Sequence, residues 1–266
     1  MQVFSEKENK FLIASMLTIV TLFVFGNLLN QDKFPIWEDI YPLDVMFIVI
    51  PIIVIILGII LSVIYKGSGS HGKAWILFTI SIIIWFVGET TFEYNYEYDI
   101  EDFSTLTSDI FYILGYPIFF AFIIFYLRQR KKVISKKMIL IASLISISFV
   151  ILILYLTFQG ETDLDDLTVY LYAIYPILDG LILAPSIIAV SLFFKGQVSF
   201  LWTLVMFATF SDILADTLYI IFAVDESYYP GHPVDILYLF SYTFYAFGVY
   251  SHIKLFKNRP KEIHTR

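Results

Sequence analysis

Cysteine is absent from all 266 residues. Disulfides, thiolate metal sites, haem attachment through thioethers and cysteine nucleophiles are excluded with it. Charge is scarce too: Asp, Glu, Lys and Arg make up 15% of the chain, against about 25% in soluble domains. No lysine falls in the middle of an apolar run, so a retinal Schiff base has no attachment point. There is no G-x-S-x-G, no H-E-x-x-H and no phosphate-binding loop. The four histidines, His71, His232, His252 and His264, are too dispersed for a membrane zinc hydrolase, and only His232 falls near the acidic connections described below. Long polar stretches are missing as well, which leaves no room for a soluble domain.

What remains is grease. Hydrophobic residues make up 59% of the chain and the mean hydropathy is +0.79. A helix needs about 20 mostly apolar residues to cross a hydrocarbon core roughly 30 Å thick. Eight runs meet that length: 11–30, 45–65, 74–93, 108–128, 138–158, 168–194, 199–224 and 234–256. The first follows the polar head MQVFSEKENK, is too long for a signal-peptide core and ends without a small-x-small cleavage site. It is predicted to be retained. The expectation is therefore an all-α integral membrane protein, one polytopic domain over 1–266, with eight transmembrane helices arranged as four hairpin repeats.

Basic residues are also missing from every second connection. Of the 17 lysines and arginines, 16 fall in the head, the tail and the three connections between runs 2–3, 4–5 and 6–7; Lys33 is the exception. Cytoplasmic loops collect such residues, so both termini are predicted to be cytoplasmic, with the plasma membrane as the location. The opposite connections, QDKFPIWEDIYPLD, EYNYEYDIEDFSTLTS, QGETDLDD and DESYYPGHP, are acidic and aromatic. They fit a solvated outer face with an aromatic belt. The net charge of −7 implies no nucleic-acid partner, because the cations sit in short cytoplasmic turns. Residues 128–137, RQRKKVISKK, are suited to contact with anionic lipid.

Acids recur at a fixed interval. Matching Asp109 to Asp235 brings Glu89 within one residue of Asp216, GETTF onto ADTLY, and Tyr116 onto Tyr242. Internal repeats are common in polytopic folds. Six carboxyl groups fall inside or at the edge of apolar runs: Glu89, Asp109, Asp179, Asp212, Asp216 and Asp235. At 1.5 Å per helical residue, Glu89 lies roughly 6 Å inside the outer boundary, Asp216 about 12 Å, and Asp212 and Asp179 about 18 Å. No lysine or arginine lies at that depth. An unpaired charge at the bilayer centre costs about 2.5–3.5 kcal/mol even on the mildest scale, so these acids must be protonated and hydrogen-bonded, or reached by water or a cation. The candidate pocket consists of Glu89, Asp179, Asp212 and Asp216, with Asp179 and Asp212 as its floor and Tyr116, Tyr175 and Tyr242 as hydrogen-bonding walls. Asp109 and Asp235 stand where helix N-caps would. Two readings stay open: polar interhelical glue, and an outward-facing pocket for a proton, a metal ion or a small cationic or hydrogen-bonding ligand. No cofactor is implied.

The stretches FSTLTSDIFYILGYPIFFAFIIFYLRQR, VYLYAIYPILDGLILAPSIIAV and FSDILADTLYIIF with YYPGHPVDILYLFSYTFYAFG resemble the polytopic membrane sensor regions that precede output domains in many prokaryotic diguanylate cyclases, cyclic-di-GMP phosphodiesterases and histidine kinases. The resemblance covers most of residues 75–250 and implies membrane-embedded signal reception. The chain departs from the pattern after Phe256, where KNRPKEIHTR follows, so no attached output domain is expected. Gly88-Glu89 and Ser211-Asp212 are similar, more weakly, to the paired Gly-Asp and Ser-Asp motifs of lysoplasmalogenase-like hydrolases, with glutamate in place of one aspartate.

The expectation is a multi-pass, sensor-like or ligand-binding module that signals through a protein partner or homo-oligomer. An accessory subunit of a larger membrane complex is the first alternative. An intramembrane hydrolase or a small transporter comes after it, so an enzymatic role stays open without being favoured.

Overall fold

Unbroken runs of Ile, Leu, Val and Phe have one way to satisfy their backbone where water is absent: every N–H and C=O must pair within the segment, as in an α-helix. The computed structural model describes residues 6–31, 41–97, 104–159, 166–193, 198–225, 227–229 and 231–257. Its helices are α1 (Glu6–Gln31), α2 (Pro42–Ile64), α3 (Gly69–Glu97), α4 (Ser104–Leu127), α5 (Lys136–Phe158), α6 (Asp166–Phe193), α7 (Ser199–Val224) and α8 (Asp235–Lys257), with one 3₁₀ turn, Arg128–Arg130, closing α4. No strand occurs among the described residues. Most of the acidic connections, at 32–40, 98–103 and 160–165, and the chain ends, including His264, lie outside them.

Local chemistry sets several helix starts. Pro42 opens α2, and Asp44 reaches back to accept the Tyr41 amide at 2.7 Å. Ser135 caps α5 by accepting the Met138 amide at 3.2 Å. The helices outrun the apolar runs. α3 begins five residues before its run and ends four after it, and α4 begins at Ser104 rather than 108. Polar residues extend a helix once its register is established; the hydrocarbon limits where they cluster, not where the helix stops.

Six helices, α2 to α7, are long and apolar enough to cross a membrane; α1 offers a shorter apolar stretch, Leu12–Leu28, and α8 is not among the six. The chain is thus a helical, multi-pass membrane protein. Large apolar side chains point outward, among them Leu140 (60% exposed), Ile151 (62%) and Val63 (69%). In water such faces would be aggregation sites; against acyl chains they are solvated.

The packing order builds a closed ring. α2 packs on α3, α3 on α4, α4 on α6, α6 on α7, α7 on α8, and α8 back on α2, while α1 lies against α2 and α8, and α5 against α6 and α7. The neighbours of α2, α3 and α4 recur for α6, α7 and α8: α4 meets α6 as α8 meets α2. In lipid the hydrophobic effect does not pull helices together, so close packing and polar bonds must. One end of the ring is filled by rings: Phe122 stacks on Trp202 at 6.0 Å and 9°, and Phe119, Trp75, Phe78 and Tyr245 are fully buried beside them. Gly115 allows α3 and α4 to touch, since a Cβ there would collide with the Trp85 indole. Trp85 Nε1 uses that approach to donate to the Tyr112 carbonyl at 3.1 Å.

Candidate functional site

Four helices bring the same two patterns to one place. α3 presents Trp85, Glu89, Phe92 and Glu93, and α7 presents Asp212, Asp216, Tyr219 and Ile220, 127 positions later and with identical spacing. Residues separated by four, seven and eight share one helical face. α4 presents Asp109, Tyr112 and Tyr116, and α8 presents Asp235, Tyr238 and Tyr242, 126 positions later. These faces, with Tyr175 of α6 and Phe47 of α2, line a cavity of about 120 Å³ toward the end of the bundle where α3 and α7 finish and α4 and α8 begin.

Tyrosines bind the acids in pairs that cross the ring. Tyr116 of α4 donates to Asp216 of α7 at 2.5 Å, and Tyr242 of α8 donates to Glu89 of α3 at 3.3 Å. Tyr238 gives Asp216 a second donor at 2.7 Å, and Tyr245 donates to Asp212 at 3.2 Å. Tyr175 donates to Asp109. At the mouth, Tyr228 donates to Asp235 at 3.1 Å, and the same carboxyl accepts the Gly231 amide at 2.9 Å. Asn27 of α1 holds that loop in place by donating to the Gly231 carbonyl at 3.0 Å. Burial and the neighbouring Asp235 carboxyl hold the Tyr228 hydroxyl well above its ordinary pKa, so it remains a donor.

The six expected acids are brought together, with three differences of placement. Asp179 is not part of the cavity floor. It is 1% exposed and stands behind Tyr116, whose hydroxyl reaches it at 3.0 Å. Asp109 does not cap α4, because the helix begins five residues earlier; its carboxyl accepts from α6 instead. Asp235 opens α8 but secures the incoming loop rather than the helix's own amides. The three expected tyrosines, Tyr116, Tyr175 and Tyr242, each bond an acid as anticipated. Thr90 and Thr91, beside Glu89, donate to carbonyls of their own helix.

Glu93, Trp85, Tyr228, Tyr245 and Ser241 also line the cavity and were not anticipated, although the 127-residue repeat of the α3 and α7 faces carried the signal for Trp85 and Glu93. His232 stays out of the cavity, its Nδ1 accepting the Val234 amide at 3.2 Å and its ring packed on Phe222 and Tyr229; burial lowers its pKa. His71 and His252, distant in sequence, meet at the other end of the bundle with rings 5.7 Å apart, and His252 Nε2 pairs with the Tyr65 hydroxyl at 2.9 Å.

The chemistry of the cavity follows from a mismatch of donors and acceptors. A carboxylate offers about four lone-pair sites, whereas a tyrosine supplies one proton. Glu89, Asp109, Asp179, Asp212, Asp216 and Asp235 each receive one or two of these donors, and no lysine or arginine lines the cavity. Tyr116 faces two carboxyls with a single hydroxyl hydrogen. Ser241, 1% exposed, lies against Asp212 and Tyr245 without a well-formed hydrogen bond. The site therefore has room for further donors and a preference for positive charge. Among the described residues, no group of three or more His, Asp or Glu is arranged to hold a metal ion. Comparison with family models, with curated proteins and with solved structures finds no match to this chain.

Proposed function

We propose that this protein is a membrane-embedded, sensor-like module that binds a small cationic or hydrogen-bonding ligand in the acid–tyrosine cavity and passes the occupancy of that site to a partner protein. On this reading the chain crosses the plasma membrane eight times with both termini in the cytoplasm, and α1–α4 and α5–α8 are two copies of one four-helix unit. The cavity then faces outward, because the connections at its end carry the acids and the basic residues lie at the other. A ring of six helices drawn from two repeated units suits signalling, since a ligand held between α3, α4, α7 and α8 couples their relative positions.

The reading rests on one observation: around a cavity without a lysine or arginine, the lone-pair sites of the acids outnumber the hydroxyl hydrogens that reach them. Interhelical glue alone accounts for it less well. Polar bonds between membrane helices average about 0.6 kcal/mol, so glue needs matched donors and acceptors, not a surplus of acceptors around empty space. The variants Glu89→Gln and Asp216→Asn separate the two. A ligand site predicts proteins that unfold within about 1 kcal/mol of wild type yet no longer retain the small molecule that native mass spectrometry finds on the wild type. Glue predicts a loss of stability in both and a wild type that carries nothing.

A further inference from the structure

The cavity is built twice. Trp85, Glu89, Phe92 and Glu93 are matched by Asp212, Asp216, Tyr219 and Ile220, and Asp109, Tyr112 and Tyr116 by Asp235, Tyr238 and Tyr242. Each half supplies the same functional pair, an acid near the end of one helix and a tyrosine reaching it from a helix of the other half: Tyr116 with Asp216, and Tyr242 with Glu89. We propose that the ligand of this cavity is a short linear diamine, with one ammonium group for each acid–tyrosine half-site. This rests on the ligand-binding reading above and specifies its substrate class.

Three observations lead there. The first is the kind of donor required. An ammonium group carries three donors and no acceptor, which suits carboxyls that each keep open lone pairs after one or two tyrosine bonds. The buried Ser241 hydroxyl, poorly bonded on the wall next to Asp212, offers a further acceptor there. The second is number. A monoamine would fill one acid–tyrosine half-site and leave the other unoccupied. The third is size. A cavity of about 150 Å³ accommodates a six-carbon ring, and this one measures about 120 Å³. That leaves space for about five or six non-hydrogen atoms, which limits the chain to about three or four methylenes between the two nitrogens. The apolar surfaces of Trp85, Phe92 and Ile220 also line the cavity and suit those methylenes. The halves are not identical: Asp212 stands where the other half has Trp85, and Ile220 where it has Glu93, so the two halves carry equal numbers of acids at different positions along the helices.

The test is isothermal titration of the full-length protein in detergent at low salt with three probes: 1,4-diaminobutane, 1-aminobutane and 1,8-diaminooctane. The expected result is saturable binding of diaminobutane, at least tenfold weaker binding of aminobutane, and no binding of the eight-carbon diamine. In Glu89→Gln and in Asp216→Asn, diaminobutane should weaken about tenfold or more and approach the monoamine. Equal affinity of the wild type for diaminobutane and aminobutane overturns the proposal, and needs no variant to fold. A neutral or singly charged molecule found on the purified protein removes the diamine while leaving a ligand site in place. Failure of all three probes, with nothing bound to the purified protein, removes both.

Discussion

Replacing Tyr116 with phenylalanine deletes a single oxygen and leaves the ring in its place against Trp85, 5.6 Å away. That oxygen is the shared partner of Asp216, at 2.5 Å, and Asp179, at 3.0 Å. Its single hydroxyl hydrogen supplies one membrane hydrogen bond at a time, worth about 0.6–2 kcal/mol. Asp179 is 1% exposed, so water cannot replace its lost donor, and depriving a buried acceptor costs about 1–3 kcal/mol. These are overlapping measures of one loss, and together they place Tyr116→Phe at about 2–3 kcal/mol. Tyr242→Phe is the control: the same chemistry at the matching position, with one bond at 3.3 Å and an expected cost of about 0.5–1 kcal/mol. Unfolding in mixed micelles by a denaturing detergent, followed through the four tryptophans, measures both. In a double-mutant cycle, Tyr116→Phe and Asp179→Asn should be less than additive, because each removes the same contact. If Tyr116→Phe proves no more costly than Tyr242→Phe, the bridge from Asp179 to Asp216 does not exist as described.

Gly115→Ala should be far more disruptive than Gly248→Ala, since a Cβ at 115 meets the Trp85 indole whereas at 248 its nearest neighbours are 3.4 Å away; overpacking costs about 1–3 kcal/mol, read from the same unfolding curves. His232 gives a pH-dependent contribution whose sign is determined. Its pKa in the folded protein lies below the ordinary 6.5, so the fold favours the neutral ring, and the associated stability is present above 6.5 and lost as pH falls through the folded value. His232→Gln should flatten the dependence of thermal unfolding on pH between 7.5 and 5; the ring is only partly buried, so the change is small.

The existence of the helices was legible because apolar runs of about 20 residues admit little else. Their ends were not, because Ser104 to Ser108 and Thr90 to Glu97 are polar segments that continue a helix as readily as they form a loop. The convergence of Glu89 with Asp216 and of Asp109 with Asp235 was legible from their shared interval. That Tyr116 bonds Asp216 and Tyr242 bonds Glu89 follows from the ring order, which depends on which faces interlock and leaves no trace in a single sequence. Asp179 shows the limit most clearly. Its depth was readable, but whether it faced the cavity or the back of a tyrosine depended on the rotation of α6. Glu93 and Tyr228 went unrecognised because acids and tyrosines near helix ends look the same whether they line a cavity or sit among headgroups.

The central claim is that the acid–tyrosine cavity holds a small molecule. Native mass spectrometry of gently purified wild-type protein, beside Asp216→Asn prepared identically, tests it most directly. The account predicts a wild-type mass above that of the bare chain by one small molecule, and the bare mass for Asp216→Asn. A wild type at its bare mass, or an adduct that persists unchanged in Asp216→Asn, contradicts it.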